Sequence, residues 1–151
     1  MANFTVAYLN CRGQTGFTTS KQLQIENFLQ IHSIDVLHLQ ECKIDDETFT
    51  QCNFISSTYN VLKNNSHNNY GTASLVKNSL EIEKIILHQS GRVIIFNIGD
   101  YTFGNVYLPS GSDGLSRTSR ENFCGEIIPN LLVNSRSGMI GGDWNNIIFK
   151  I

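Results

Sequence analysis

Charge is scarce in this chain: only 16% of its 151 residues are charged, and 11 basic against 13 acidic side chains give a net charge of −2. Because proteins that bind nucleic acid usually carry a basic surface, the overall charge gives no reason to expect one here. No apolar run reaches the roughly 18 residues that a membrane span needs, and no basic and apolar segments of a secretory signal open the chain. We expect one α/β domain that is intracellular (nuclear or cytoplasmic), not secreted and not membrane-bound.

Several familiar site patterns are also missing. The four cysteines form no C-x-x-C pair and are expected to be reduced and largely buried, and the four histidines have no metal-ligand spacing. His38 lies in an apolar run and is expected to be an outward or satisfied strand residue rather than a catalyst. No Ser-His-Asp set, Cys-His pair or phosphate-binding loop emerges from the spacing.

Apolar periodicity predicts two helices among many strands. The first helix begins near Thr19 or Ser20, and the second covers roughly 117–133, where Pro129 should kink or divide it. Residues 43–58 are expected to be irregular, and Gly99-Asp100 reads as a hairpin turn. The predicted strands cover residues 4–9, 35–40, 59–62, 72–76, 80–87, 92–98, 101–108 and 137–140. This order predicts helices packed outside sheets that mix parallel and antiparallel pairing.

Four of the predicted strands end in polar residues of catalytic type. These residues are Asn10, Glu41, Tyr107 and Asp143, and Asn145 follows two positions after Asp143. Ligands gather at the carboxyl ends of strands in open α/β sheets, so these strand ends would form one cluster if they lie on one edge.

Carboxylate, amide and phenol groups together suit the hydrolysis of phosphate esters. Magnesium prefers hard oxygen ligands and is often held by one or two carboxylates plus substrate phosphates. Such an ion polarises the phosphoryl oxygen, while a second carboxylate can orient or deprotonate water. Amide and phenol donors can hold the phosphate in line.

The same residues lie in motifs that resemble those of the endonuclease/exonuclease/phosphatase family, which has the DNase I-like fold. The matching segments, in family order, are Leu9-Asn10-Cys11-Arg12-Gly13, Leu39-Gln40-Glu41-Cys42-Lys43, Gly91-Arg92-Val93, Val106-Tyr107-Leu108-Pro109 and Gly142-Asp143-Trp144-Asn145. The resemblance implies a four-layer α/β/β/α sandwich with mixed sheets. The sequences of Tyr70–Ala73 and Tyr107–Gly111 are most similar to those of apurinic-type endonuclease domains in LINE-type (non-LTR) retrotransposons.

The resemblance also implies roles for the five residues. Glu41 and Asn10 would bind Mg²⁺, with Mn²⁺ as a possible substitute, and Tyr107 would hydrogen-bond the scissile phosphate. Asp143 would orient or activate the water, and Asn145 would bind the phosphate. Structural rather than catalytic roles are expected for Gly13, Arg92, Pro109 and Gly142, with Arg92 serving in packing and an ion pair.

The family pattern continues beyond Asn145 to a closing Asp-His motif, and this sequence contains no counterpart of it. Residues 1–151 are therefore expected to be the N-terminal portion of an endonuclease domain, an incomplete sandwich with weak or no activity of its own. DNA would be the substrate of the complete domain, and a reverse transcriptase domain is a candidate partner in the parent polyprotein. Two alternatives stay open: a non-catalytic remnant or interaction protein, and a small-molecule phosphatase of the same family.

Overall fold

Two four-stranded mixed sheets face each other in the computed structural model, which describes residues 3–12, 17–65, 71–111 and 113–145. The strands, in chain order, are β1 (Val6–Asn10), β2 (Val36–Cys42), β3 (Tyr59–Asn65), β4 (Gly71–Lys77), β5 (Ile82–Leu87), β6 (Val93–Ile98), β7 (Tyr101–Tyr107) and β8 (Ser137–Asp143). The first sheet has the order β1-β2-β4-β3, and the second has the order β5-β6-β7-β8. The predicted mixed α/β architecture is confirmed.

Each sheet has one parallel pair at its side, β1 with β2 and β7 with β8, and antiparallel pairs elsewhere. The hairpin predicted at Gly99-Asp100 is confirmed, since Ile98 pairs with Tyr101 across it. Strands β1 and β8 contact each other from the two sheets. The carboxyl ends of β1, β2, β7 and β8 therefore come together.

Helix α1 (Thr19–His32) begins where the sequence predicts it, with the Thr18 side chain accepting a hydrogen bond from the Lys21 amide at its first turn. Its buried residues Ile25 and Leu29 pack on the outer face of the first sheet. Helix α2 (Asn53–Thr58) corrects the expectation of an irregular stretch over 43–58. It is a six-residue helix of mostly polar residues, too short to show a helical period.

The second predicted helix is divided, as Pro129 suggests. It consists of α3 (Gly114–Asn122), a π-helical segment (Phe123–Ile127) and α4 (Ile128–Leu131), which has Pro129 in its first turn. Proline has no amide hydrogen to donate to the preceding turn, and a proline at the start of a helical piece avoids that loss. Among the helices in the described ranges, none has the length and apolar character that crossing a bilayer requires.

The inner faces of the sheets meet in an apolar half and a polar half. The apolar half is centred on the aromatic pair Phe96 and Phe103, whose rings stack at 5.8 Å. The polar half lies toward the carboxyl ends of β2 and β7. There the buried Gln40 amide donates to Asn105 Oδ1 at 2.7 Å, and the Asn105 amide donates to the carbonyls of Leu39 and Ala73 at 3.0 and 2.8 Å.

Replacing Asn105 by alanine is expected to destabilise the fold by at least about 2 kcal/mol. The variant leaves the buried Gln40 amide without its partner, and an unmade buried hydrogen bond costs about 1–3 kcal/mol. It also removes the side-chain donor shared by the Leu39 and Ala73 carbonyls and the packing of the Asn105 side chain. Urea denaturation of Asn105→Ala beside the exposed-site control Asn60→Ala measures the difference. Equal midpoints for the two variants would contradict a bridging role for Asn105.

For His38 the sequence left two expectations, an outward or a satisfied strand residue, and the outward one is wrong: His38 lies between the sheets and is fully buried. Its Nδ1 pairs with Ser74 Oγ at 2.7 Å, and its ring stacks on Tyr8 at 4.7 Å. Its Nε2 is a buried atom with no hydrogen-bond partner in the described part of the chain. Burial lowers the pKa of His38 to about 3, so the imidazole is neutral in the folded protein.

Candidate active site

The amide of Asn10 connects the carboxylates of the two predicted acidic residues. Asn10, the last residue of β1, donates from Nδ2 to Glu41 Oε1 at 3.0 Å and to Asp143 Oδ2 at 2.5 Å. Its Oδ1 accepts a hydrogen bond from the Arg12 amide at 2.7 Å, which fixes the side-chain orientation. One amide group thus joins the ends of β1, β2 and β8, and with them the two sheets.

Glu41 reaches this position because β2 is bulged there. The pairing between β2 and β4 shifts between Gln40 and Cys42, and Glu41 has a left-handed φ of 50°. A bulge adds one residue to a strand and redirects its side chain. Without it, the period of two along β2 would place neighbouring side chains on strictly opposite faces.

Asp143 is held by the segment that follows it. The backbone amide of Asn145 donates to Asp143 Oδ1 at 2.9 Å, and the Asp143 carbonyl accepts from the Leu108 amide at 2.9 Å. The Asn145 side chain donates from Nδ2 to the Leu108 carbonyl. Asn145 is therefore adjacent to Asp143 and also joins the end of β8 to the residue that follows β7.

Tyr107 completes the cluster at the end of β7. Burial raises the pKa of its hydroxyl, and the negative charge of Glu41 raises it further, against a smaller lowering by Arg92. The Arg92 guanidinium lies 4.8 Å from the centre of the Tyr107 ring, and its Nη1 donates to the Tyr107 carbonyl at 3.3 Å. The phenol therefore stays protonated at neutral pH and can donate a hydrogen bond to an anionic oxygen.

The expected structural residues are confirmed in part. Arg92 packs on Tyr107, but its predicted ion pair is absent from the described residues. Gly142 has a φ of 138°, and a Cβ there would lie 1.9 Å from the Val106 carbonyl oxygen, so the close pairing of β7 with β8 requires glycine. The Pro109 carbonyl accepts from Arg120 Nη1 at 2.9 Å. Gly13 lies outside the described residues.

Three of the six non-glycine residues with left-handed backbone in the described ranges lie at this cluster. Arg12, Glu41 and Asn145 have φ values of 50°, 50° and 47°. Non-glycine residues in this region cost free energy, and they persist where the surrounding structure determines them. Here the hydrogen bonds from the backbone amides of Arg12 and Asn145 to the side chains of Asn10 and Asp143 hold these two residues in that conformation.

The donor set suits a hard divalent cation. Two carboxylates, Glu41 and Asp143, converge on one neutral amide, and like charges held this close favour a cation beside them. Within the described ranges no group of three or more His, Cys, Asp and Glu side chains is assembled. Magnesium does not require one, because it keeps several waters and often takes only one or two carboxylates.

Sequence reasoning missed the layer that supports the site. Gln40 and Asn105 lie directly behind Glu41 and Tyr107 and hold β2 and β4 against β7. The signal was available, since Asn105 interrupts an apolar strand that has a residue of catalytic type two positions on. A polar residue inside a buried strand implies a hydrogen-bonded partner.

Comparison with families and with curated proteins gives no match: no family model matches the chain, and no curated protein does. Solved structures do match. The chain superposes on an AP endonuclease from Archaeoglobus fulgidus with a TM-score of 0.74 at 18% identity, covering 94% of this chain and 57% of that one. The 3'-5' exonuclease NExo from Neisseria meningitidis gives a TM-score of 0.71 at 17% identity, with coverage of 94% and 57%.

A third match is D. rerio TDP2 in complex with a single-strand DNA product, with a TM-score of 0.69 at 14% identity and coverage of 96% and 62%. In each comparison the chain spans about three fifths of the length of the matched structure. Identities at this level establish the fold alone. The two facing mixed sheets of this chain, with helices outside them, form part of a DNase I-like fold.

Proposed function

We propose that this chain carries the N-terminal part of a Mg²⁺-dependent hydrolase that cleaves phosphodiester bonds in DNA. The observation that carries the proposal is the hydrogen bonding of one amide, that of Asn10, to the carboxylates of Glu41 and Asp143. The similarity to enzymes described as an AP endonuclease and a 3'-5' exonuclease supports a phosphodiester substrate. The TDP2 structure that contains a DNA product supports DNA.

Each residue has a role that its contacts allow. Glu41, with Asn10 beside it, would hold Mg²⁺, which when bound supplies charge neutralisation at the phosphoryl and leaving oxygens. Asp143 would accept a proton from the attacking water, and the Asn145 amide at 2.9 Å keeps that carboxylate oriented. The protonated Tyr107 would donate to a phosphate oxygen, and the Asn145 side chain would contact the same phosphate.

Basic side chains near the site are few. Arg12 and Lys21 flank Asn10, with Lys21 Nζ donating to the Cys11 carbonyl at 3.0 Å. Among the other basic side chains of the described residues, four pair with carboxylates: Lys63, Lys77, Arg117 and Arg136. Because phosphate contacts provide most of the affinity for DNA, this chain should bind DNA weakly and only at low salt.

Nicking of supercoiled plasmid DNA at low salt tests the proposal. We expect slow conversion to the open-circular form with Mg²⁺ or Mn²⁺ and none with EDTA. Complete inactivity of a folded chain would favour the non-catalytic alternative. Hydrolysis of p-nitrophenyl phosphate, a monoester, faster than bis(p-nitrophenyl) phosphate, a diester, would favour the small-molecule phosphatase.

We also propose that the domain derives from a LINE-type retrotransposon, with a reverse transcriptase domain in the parent protein. The sequence of Tyr107–Gly111 supports this origin. The similar segment that begins at Tyr70 starts outside the described residues. Sequencing the genomic DNA that adjoins the coding region tests this: a reading frame for reverse transcriptase would support it, and an unrelated open frame would contradict it.

A further inference from the structure

Two cysteines directly follow the two residues assigned to the metal. Cys11 comes after Asn10, and Cys42 comes after Glu41. Both are free thiols and both are buried, at 8% and 1% exposure. The proposed hydrolysis uses neither of them, so their placement calls for a separate explanation.

The strand pairing places these cysteines opposite each other. Val6–Asn10 pairs in register with Val36–Gln40, and the Cys11 amide continues the pairing by donating to the Gln40 carbonyl at 2.8 Å. The bulge at Glu41 then brings Cys42 alongside Cys11. Both side chains belong to the same buried cluster on the α1 side of the first sheet. There each thiol donates to a backbone carbonyl at 3.8 Å, Cys11 to that of Leu9 and Cys42 to that of Gly71.

The distance between adjacent strands suits a disulfide. Neighbouring strands lie about 4.8 Å apart, and the Cα atoms joined by a disulfide lie about 4.4–6.8 Å apart. Both side chains lie on the same face of the sheet, because both pack in the cluster that α1 covers. A disulfide between two cysteines on adjacent strands and on the same face therefore falls within the usual geometry of such bonds.

A groove beside β1 gives access to one of the sulfurs. It has a volume of about 280 Å³ and lies between the end of β1 and helix α1. Cys11 lines it together with Asn10, Phe17 and Lys21. A small oxidant can therefore approach Cys11, while Cys42 lies behind it at 1% exposure.

We propose that Cys11 and Cys42 form a reversible disulfide when a hydroperoxide enters this groove. The Cys11 sulfur attacks the peroxide oxygen, which breaks the O–O bond and gives a sulfenic acid and water or an alcohol. The Cys42 sulfur then attacks the sulfenic sulfur, its proton leaves with the hydroxyl as water, and the S–S bond forms. Two thiols are oxidised by two electrons while the peroxide is reduced.

Peptide mapping of the whole chain after treatment with hydrogen peroxide tests this proposal. We expect a mass loss of about 2 Da and a linked pair of peptides containing Cys11 and Cys42, both reversed by dithiothreitol. The readout is a mass, so it does not depend on DNA cleavage. If cleavage is measured in parallel, oxidation should slow it reversibly, because the crosslink alters the spacing of Asn10 and Glu41.

Matched variants separate this pair from the other thiols. Cys52→Ser removes a fully buried cysteine elsewhere and should leave the linked peptides intact. Cys42→Ser should prevent the link and leave a Cys11 sulfenic acid that dimedone traps. Recovery of Cys11 and Cys42 as unmodified thiols after wild-type treatment, or oxidation confined to Cys124, would overturn the proposal.

Discussion

Asp143→Asn is expected to lower the rate of Mg²⁺-dependent plasmid nicking by about 10²–10⁴-fold, the usual contribution of a single proton-transfer or electrostatic group. The substitution keeps the shape of the side chain and removes the group that would accept the water proton. It also replaces a charged acceptor for the Asn10 amide with a neutral one. Single-turnover nicking kinetics measure the loss directly.

Glu41→Gln is expected to lower the nicking rate by a similar factor, but its rate should depend differently on the metal concentration. Because Glu41 would hold the cation, raising the Mn²⁺ or Mg²⁺ concentration should restore part of its activity but none of that of Asp143→Asn. The matched controls are Glu81→Gln and Asp100→Asn, which remove the same charges at exposed positions. Unchanged nicking in both site variants would contradict the assignment of these two carboxylates.

Stability is expected to fall by about 4–5 kcal/mol as the pH drops from above 6.5 to about 3, through His38 alone. The ordinary pKa of 6.5 applies to the unfolded chain, whereas burial lowers the folded value to about 3. Between these values the unfolded chain binds a proton that the folded protein does not, so each pH unit costs about 1.4 kcal/mol. The stability of the fold with a neutral His38 is therefore fully present above pH 6.5 and is lost as the pH falls toward 3.

Urea denaturation between pH 5 and 7 isolates this effect. Carboxylates with lowered pKa values also lose stability as the pH falls toward their ordinary pKa of 3.8. Burial raises the pKa of Asp35, but hydrogen bonds from Lys77 and Thr5 and the charge of Lys77 together lower it. The slope of the free energy of unfolding against pH counts the protons taken up on unfolding. In His38→Gln this number should fall by about one, whatever the absolute stability of the variant. His32→Gln, at an exposed position, should keep the slope. Equal slopes for His38→Gln and the wild type would refute the assignment.

The edge that carries the site could be predicted from strand ends alone. Asn10, Glu41, Tyr107 and Asp143 each close an apolar strand, and ligands gather where such strands end. The contacts between them could not be predicted, because they depend on a bulge at Glu41 and on the pairing of β1 against β8. Neither feature has a local sequence signal.

His38 shows why a buried strand conceals its orientation. All residues of Val36–Gln40 are buried, since the first sheet has α1 on one face and the second sheet on the other. A strand covered on both faces loses the alternation of polar and apolar residues. The sequence pattern therefore could not show whether His38 faced the helix, the other sheet or solvent.

The hydrogen bond between Asn10 and Asp143 also has a consequence for biosynthesis. It joins residues 133 positions apart, so its closure must follow the pairing of the strands between them. A ribosome releases the chain from its N-terminus, and β1 with β2 can pair long before β8 has emerged. The strands that carry Asn10 and Glu41 can therefore pair while Asp143 is still being translated, and the site closes only after β8 has joined them.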